Sequence, residues 1–163
     1  MLHLVLYRPA IPQNTGTTAR QCVGLGAHLH LVEPAFDLDE KAVRRAGLDY
    51  WPHLKLTTHT EDNFRGWLND LPRDPYLVTK HGSVRYDQPA YQPNDTLILG
   101  NENTGLPDWL HDRYPRTRIH LPMPGTPQPD GTTGNVRSYN LANSAAIVLT
   151  HAWSTTHPGT RPA

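Results

Sequence analysis

Short apolar runs alternate along the chain with stretches whose apolar positions recur at helical spacing. Residues 2–7 read as a buried strand closed by Arg8 and Pro9. Residues 14–25 predict a helix, with Asn14 or Thr15 as its N-cap and Gly24 and Gly26 near its end. A second strand is expected over 29–32, stopped before Pro34. A short helix is expected over 39–46, with acids at its start and Arg44 and Arg45 near its end, as the helix dipole favours. A helix over 60–71 opening on Thr-Glu-Asp follows, then strands over 76–79 and 96–99. Residues 107–114 form a helix with Pro107 as first helical residue, residues 118–121 a strand, and 141–153 a last, aliphatic helix. Strand–helix alternation of this kind predicts an α/β domain with a mostly parallel sheet and helices on both faces.

At 163 residues the chain has the size of one domain. Residues 1–154 are expected to form it, and 155–163 a flexible tail. No apolar run reaches the ~18 residues needed to span a bilayer, and the short apolar start lacks a basic leader. The expectation is a cytoplasmic protein with no membrane partner. The single cysteine, Cys22, excludes an internal disulfide; placed within a helix, it is expected to pack rather than react. Formal charge is zero, which excludes a strongly basic nucleic-acid coat. The sum conceals an asymmetry. Residues 1–112 hold 10 basic and 14 acidic side chains, and residues 113–163 hold 5 and 1, so the C-terminal third has the sign to face an anion.

Proline is in excess, 16 residues, against a usual share of ~5%. Five fall between 115 and 129, and glycines follow at 125, 131 and 134. The stretch 124–136 (PGTPQPDGTTGNV) suits neither helix nor central strand. It predicts a long loop after the last strand, where α/β sheets bind ligands.

Chemistry is not carried by a familiar short motif: GxGxxG, P-loop, HExxH and GxSxG are all absent. Ten histidines raise the question of a metal. His28 and His30 share a strand face, but no third ligand stands at a suitable spacing, and no metal is expected. Three polar segments lie beside strand ends: NTGTTAR at 14–20, LGNENTGLP at 99–107, and LPM at 121–123 with SYNLANS at 138–144. The first opens a helix whose free N–H groups suit an anion, the second has glycines that permit close backbone approach, and the third caps the last helix. Each alone is equally an ordinary loop or cap.

In combination, and with LVLYRPAIPQNTG at 4–16, LHLVEP at 29–34 and RRAGLDYW at 44–51, these segments resemble the SPOUT superfamily of S-adenosylmethionine-dependent RNA methyltransferases. Within it the chain is similar to the tRNA (cytidine/uridine) 2′-O-ribose methyltransferases acting on the wobble nucleotide. The resemblance covers about the first 153 residues. It implies the SPOUT fold, an α/β sheet with a C-terminal deep trefoil knot, and a homodimer whose subunits build the active region together. It implies S-adenosylmethionine as donor, held by segments 77–80, 99–105 and 121–138, with Val78, Thr79, Gly100, Glu102, Gly105, Leu121, Met123 and Ser138 as contacts. It assigns catalysis to Asn14, Arg20, Glu102, Ser138 and Asn140. It implies a tRNA anticodon loop as partner, with phosphates met by Arg44, Arg45, Arg116 and Arg137. Arginine is too weak an acid to serve readily as a base, so Arg20 is expected to partner a phosphate or alkoxide. Departures from the family pattern are the Pro/Gly/Thr-rich insertion, expected to be a lid over the donor, Tyr139 in place of a smaller aliphatic residue, and Ala142 in place of serine. The competing expectations are a SPOUT enzyme acting on rRNA or another tRNA site, and an inactive RNA-binding protein of the same fold.

Overall fold

Side-chain alternation in the first strand already demands two covering layers. In β1 (His3–Tyr7), Leu4 and Leu6 enter one apolar cluster while Val5 and Tyr7 enter another, and all four are buried. A strand apolar on both faces belongs inside a parallel sheet sandwiched by helices. The computed structural model, which describes residues 1–38, 50–124 and 138–160, has that arrangement. After β1 come α1 (Pro12–Leu25), β2 (His28–Val32), a 3-10 turn (Trp51–His53), β3 (Lys55–His59), α2 (Glu61–Asn69), β4 (Tyr76–Val78), β5 (Val84–Arg85), β6 (Thr96–Leu99), α3 (Asp108–Arg113), β7 (Arg118–His120) and α4 (Leu141–Thr156).

All strand pairs are parallel and the order is β3-β2-β1-β6-β4-β7-β5. On one face, Leu4, Leu6, Leu29, Leu31, Leu97 and Leu99 pack with Ala19 and Cys22 of α1 and with Ala145, Val148, Leu149 and Ala152 of α4. Gln21 Nε2 donates to Thr150 Oγ1 at 2.7 Å and ties these two helices at their rim. On the other face, Val5, Val32, Leu77 and Ile98 meet Phe64 and Leu68 of α2 and Leu110 of α3. Each fully buried leucine of this kind contributes roughly 1.5–3 kcal/mol. Among the described residues, no helix is long and apolar enough to cross a membrane.

Most expected elements form within a residue or two of their expected bounds, and the departures have local causes. Helix α1 begins at Pro12, so Asn14 and Thr15 are not its N-cap: Ile11 takes that position without a side-chain cap, and both residues are buried inside the first turn. Proline suits the first helical position because its missing N–H would be unpaired there anyway. By contrast Pro107 is the N-cap of α3 rather than its first residue. Strands β3 and β5 were not expected. The first, KLTTH, is a half-exposed polar edge, and the second has two residues, so neither carries an apolar pattern. Helix α4 runs on to Thr156, and His157 stacks on Trp153 with ring centroids 4.7 Å apart. The helix expected over 39–46 lies outside the described residues, as does all but Pro124 of the long loop expected over 124–136 as a lid.

Two small features test this reading. Thr60 caps α2, its side chain accepting from Asn63 N at 3.3 Å ahead of Glu61 and Asp62. Thr60→Ala is expected to cost ~1 kcal/mol and to lower Tm by roughly 2–4 °C, measured by thermal melting. Cys22 is fully buried, and burial pushes its thiol up to about 12. Since the thiolate is the nucleophile, an alkylating reagent at neutral pH is expected to leave the native chain unmodified and to label it on unfolding. Labelling of the native chain at the unfolded rate would contradict the packing described here.

Candidate active site

The strand order reverses direction between β1 and β6, with β2 and β3 on one side and β4, β7 and β5 on the other. Ligands of open parallel sheets bind at such a switch, beyond the C-terminal strand ends. A cleft of about 730 Å³ opens there, at the ends of β4, β6 and β7 and beside the first turn of α1. Its walls include Val78, Thr79, Leu99, Gly100, Glu102, Gly105, Leu121, Met123, Ser138 and Asn140.

The turn after β6 is shaped by its glycines. Asn101 and Gly105 exchange backbone hydrogen bonds at 3.1 and 2.9 Å, and Asn101 Oδ1 accepts from Asn103 N and Thr104 N. Gly105 holds φ +73°, a left-handed conformation that glycine adopts without steric cost. Gly100 lies against this turn so closely that a Cβ built on it would fall 2.2 Å from the Gly105 carbonyl carbon. The tight turn places Glu102 against the start of α1.

Glu102 is the junction of the site. One carboxylate oxygen, Oε2, accepts from Ala10 N at 2.8 Å; Oε1 accepts from Ile11 N at 3.2 Å and from Asn14 Nδ2 at 2.9 Å. The negative charge thereby sits at a helix N-terminus, where the dipole favours it. The chain of bonds continues. Asn140 Nδ2 donates to Asn14 Oδ1 at 2.9 Å, and Asn140 Oδ1 caps α4 by accepting from Ala142 N and Asn143 N. Three segments far apart in sequence, each opening or preceding a helix, are thus joined by Glu102, Asn14 and Asn140. Asn101 Nδ2 adds a bond to Arg8 O at 2.6 Å.

The structure therefore gathers most of the expected site residues. Asn14, Glu102, Ser138 and Asn140 line the cleft, as do all eight residues assigned to the donor. Arg20 does not. It lies two turns along α1 on the exposed surface, its guanidinium 5.0 Å from the Tyr50 ring centroid. Arg116 is exposed and is not part of the cleft wall either, and Arg44, Arg45 and Arg137 lie outside the described residues. Tyr139, 40% exposed, lines the cleft and donates from its hydroxyl to Pro122 O at 3.1 Å.

Several wall residues escaped sequence reasoning. His81, His111 and His120 line the cleft. Burial, with Arg118 and His81 adding to it, holds the His111 ring below the ordinary histidine range. Gly82 was missed as well. A Cβ there would fall 2.3 Å from the Ile119 carbonyl carbon, so the turn after β4 crosses β7 at backbone contact. None of these is marked in the sequence, because His111 in α3, His120 in β7 and the turn residues His81 and Gly82 gain significance only where segments distant in sequence meet.

The cleft combines asparagine, threonine and serine side chains, the carboxylates of Glu102 (already engaged by three N–H donors) and Asp108, the basic side chains of Lys80 and three histidines, and an apolar wall of Val78, Leu99, Leu121 and Met123. Such a set suits an organic ligand with an apolar ring and a polar tail.

The chain is similar to known proteins over nearly its whole length. The family model described as SpoU rRNA Methylase family matches residues 1–150. The tRNA (cytidine(34)-2'-O)-methyltransferase of Methylovorus glucosotrophus (strain SIP3-4) is 39% identical over 156 residues, 94% of this chain and 94% of that protein. A solved structure described as "Structural insights into the 2-OH methylation of C/U34 on tRNA" superposes with TM-score 0.81 at 38% identity, covering 95% of each chain. The AdoMet-bound rRNA methyltransferase from Sinorhizobium meliloti superposes with TM-score 0.78 at 25% identity, over 93% of this chain and 55% of that one. A family-model match across nearly the whole chain, with a relative of this identity and coverage, settles the lineage that the sequence motifs indicated: the chain belongs to the SpoU rRNA methylase family.

Proposed function

We propose that the chain is a methyltransferase that moves the methyl group of S-adenosylmethionine to the ribose 2′-oxygen of the wobble nucleotide of tRNA. The observation that carries this reading is the convergence, in one cleft at the sheet's switch point, of all eight expected donor contacts and four of the five expected catalytic residues. The printed functions of the Methylovorus relative and of the C/U34 structure support the substrate class. The donor, when bound, supplies an already activated methyl group as a sulfonium.

The chain's own residues then have positional tasks. Val78, Leu99 and Leu121 would hold the donor's adenine by their apolar side chains, and the backbone turn 100–105 would line the same part of the cleft. The Glu102–Asn14–Asn140 bonds hold the start of α4, with Ser138 two residues before its cap, at a fixed distance from that turn. Holding the 2′-oxygen and the methyl in line is worth up to ~7–11 kcal/mol of barrier. Arg20, on the outer surface of α1, is the residue proposed to meet the reacting ribose or its phosphate. It does not line its own chain's cleft, so this role is assigned across a homodimer, one subunit's Arg20 serving the other's cleft. The same reading takes the crossing at Gly82 and Ile119 as part of a C-terminal trefoil knot. It assigns RNA phosphates to Arg116 together with Arg44, Arg45 and Arg137.

The test is methyl transfer to total unmodified tRNA, with nucleoside mass spectrometry and mapping of the methylated ribose. A 2′-O-methyl group at the first anticodon position is expected. Methylation elsewhere in tRNA or in rRNA, or binding without transfer, would sink the proposal. The dimer clause has its own test. Arg20→Ala and Asn140→Ala are each expected to be nearly inactive, and mixing them after dissociation is expected to restore about a quarter of wild-type activity, because a symmetric dimer re-formed at random contains one intact composite site in half its copies. No recovery on mixing would place Arg20 in its own subunit's chemistry.

A further inference from the structure

Four histidines meet on the α2 face of the sheet. In register, His3 of β1 stands opposite His28 of β2, and His30 lies two residues further along β2, with His59 at the end of β3. His3 Nδ1 is 3.0 Å from His30 Nε2, and His30 Nδ1 is 3.0 Å from His59 Nε2. One ring nitrogen from each of His3, His28 and His30 lies within 4.8 Å of the other two. The third ligand that spacing along β2 does not supply thus comes from the neighbouring strand.

We infer that His3, His28 and His30 form a binding site for one divalent late first-row ion of the Zn²⁺ class, with His59 as an outer partner. The site lies on a strand face away from the proposed methyl-transfer cleft and does not rest on that reading. Zinc takes imidazole nitrogens at ~2.0–2.1 Å in a tetrahedron, which sets ligand nitrogens roughly 3.3 Å apart. The His3–His30 pair already meets this, and the third ring needs to close by little more than an ångström. Three neutral imidazoles leave a fourth position for water.

Binding requires lone pairs where His3 and His30 now share a hydrogen bond. The one proton in that bond therefore moves to the opposite nitrogen of the ring that carries it, with no net proton released. At His30 that nitrogen is Nδ1, which then donates to His59 Nε2 at the observed distance. An outer acceptor of this kind, fixing tautomer and ring orientation, accompanies almost every metal-bound histidine. His28 has its own support, its Nε2 lying 2.9 Å from Thr57 Oγ1. Trp67 of α2 covers the cluster, with its ring centroid 4.5 Å from that of His30. The ion would clip β1 to β2 at their N-terminal ends.

The test uses the tag-free full chain, stripped with a chelator and titrated with Zn²⁺ by calorimetry in excess Mg²⁺. One Zn²⁺ per chain is expected, at micromolar affinity or tighter, because Mg²⁺ prefers oxygen ligands and does not compete. His3→Gln and His28→Gln are each expected to weaken binding at least tenfold, and the exposed His53→Gln to leave it unchanged. The imidazole ¹⁵N resonances of the wild-type chain read the ligands without relying on any variant: those of His3, His28 and His30 are expected to shift together at one equivalent. Absence of saturable Zn²⁺ binding, unchanged affinity in both ligand variants, or ¹⁵N shifts confined to histidines other than these three and their outer partner His59 would overturn the inference.

Discussion

Replacing Glu102 with alanine is expected to abolish measurable methyl transfer and to lower stability by ~2–4 kcal/mol. The stability figure follows from the bonds lost. Glu102 accepts from Ala10 N, Ile11 N and Asn14 Nδ2, and hydrogen bonds to a charged group contribute ~1.5–3 kcal/mol each, with part recovered when water reaches the exposed donors. In a domain of this size the loss corresponds to a Tm drop of roughly 4–16 °C. The activity loss has a different origin. Without the carboxylate, Asn14 loses the acceptor that orients its amide, and Asn140 loses a fixed partner in Asn14 Oδ1. The start of α4 and the turn after β6 then move independently, and an ångström of drift between them costs ~100-fold in rate. Glu102→Gln separates the two effects. It keeps the shape but offers an amide N–H₂ to a site furnished only with donors, so it is expected to recover less than half the lost stability and little of the activity. Thermal melting and S-adenosylhomocysteine calorimetry, beside the transfer assay, check this. Wild-type activity in Glu102→Ala would remove the carboxylate from the site's framework.

Gly100→Ala is expected to have an effect of similar size through backbone geometry alone. A methyl group at this position falls 2.2 Å from Gly105 C and 2.4 Å from Leu106 N. No real side chain tolerates such distances, and the atoms it meets are backbone, with no rotamer to swing aside. The turn must open, which breaks the paired hydrogen bonds between Asn101 and Gly105 and moves Glu102 with it. Overpacking typically costs ~1–3 kcal/mol, and two lost backbone bonds add to it. The donor is expected to bind at least ~100-fold more weakly, an affinity loss of roughly 2.8 kcal/mol, since the turn forms part of the cleft wall. Calorimetry with S-adenosylhomocysteine reads this directly. Gly24→Ala serves as the control, because a Cβ there meets nothing within 4 Å; it is expected to bind the donor like wild type and to gain slightly in stability from helix propensity.

Much of this molecule is legible in its order of residues. Apolar runs of strand length, alternating with helical patterns, determine an α/β sheet covered on both sides, because a strand apolar on both faces has no other stable place. Proline and glycine positions locate the loops, and Thr60 with Glu61 and Asp62 marks a helix start that forms as expected. The three polar segments at strand ends, each alone an ordinary loop or cap, are recognisable as a site only through their combined resemblance to the SPOUT methyltransferases.

What the order of residues leaves open is which distant segments touch. Asn14 reads as a helix cap, and the local rule is sound, but Pro12 starts the helix and a carboxylate 88 positions away takes the asparagine's amide. Gly82 and Gly100 are ordinary loop glycines until another backbone crosses within a van der Waals radius. His28 and His30 show two ligands at strand spacing, and only the parallel register of β1 against β2 brings His3 to them. Local propensity and periodicity act over a few residues and survive in a linear reading. Strand order and register are set by the burial of the whole chain at once, so tertiary structure alone decided where Glu102, the crossing glycines and the histidine cluster meet, and that Arg20 stands outside its own cleft.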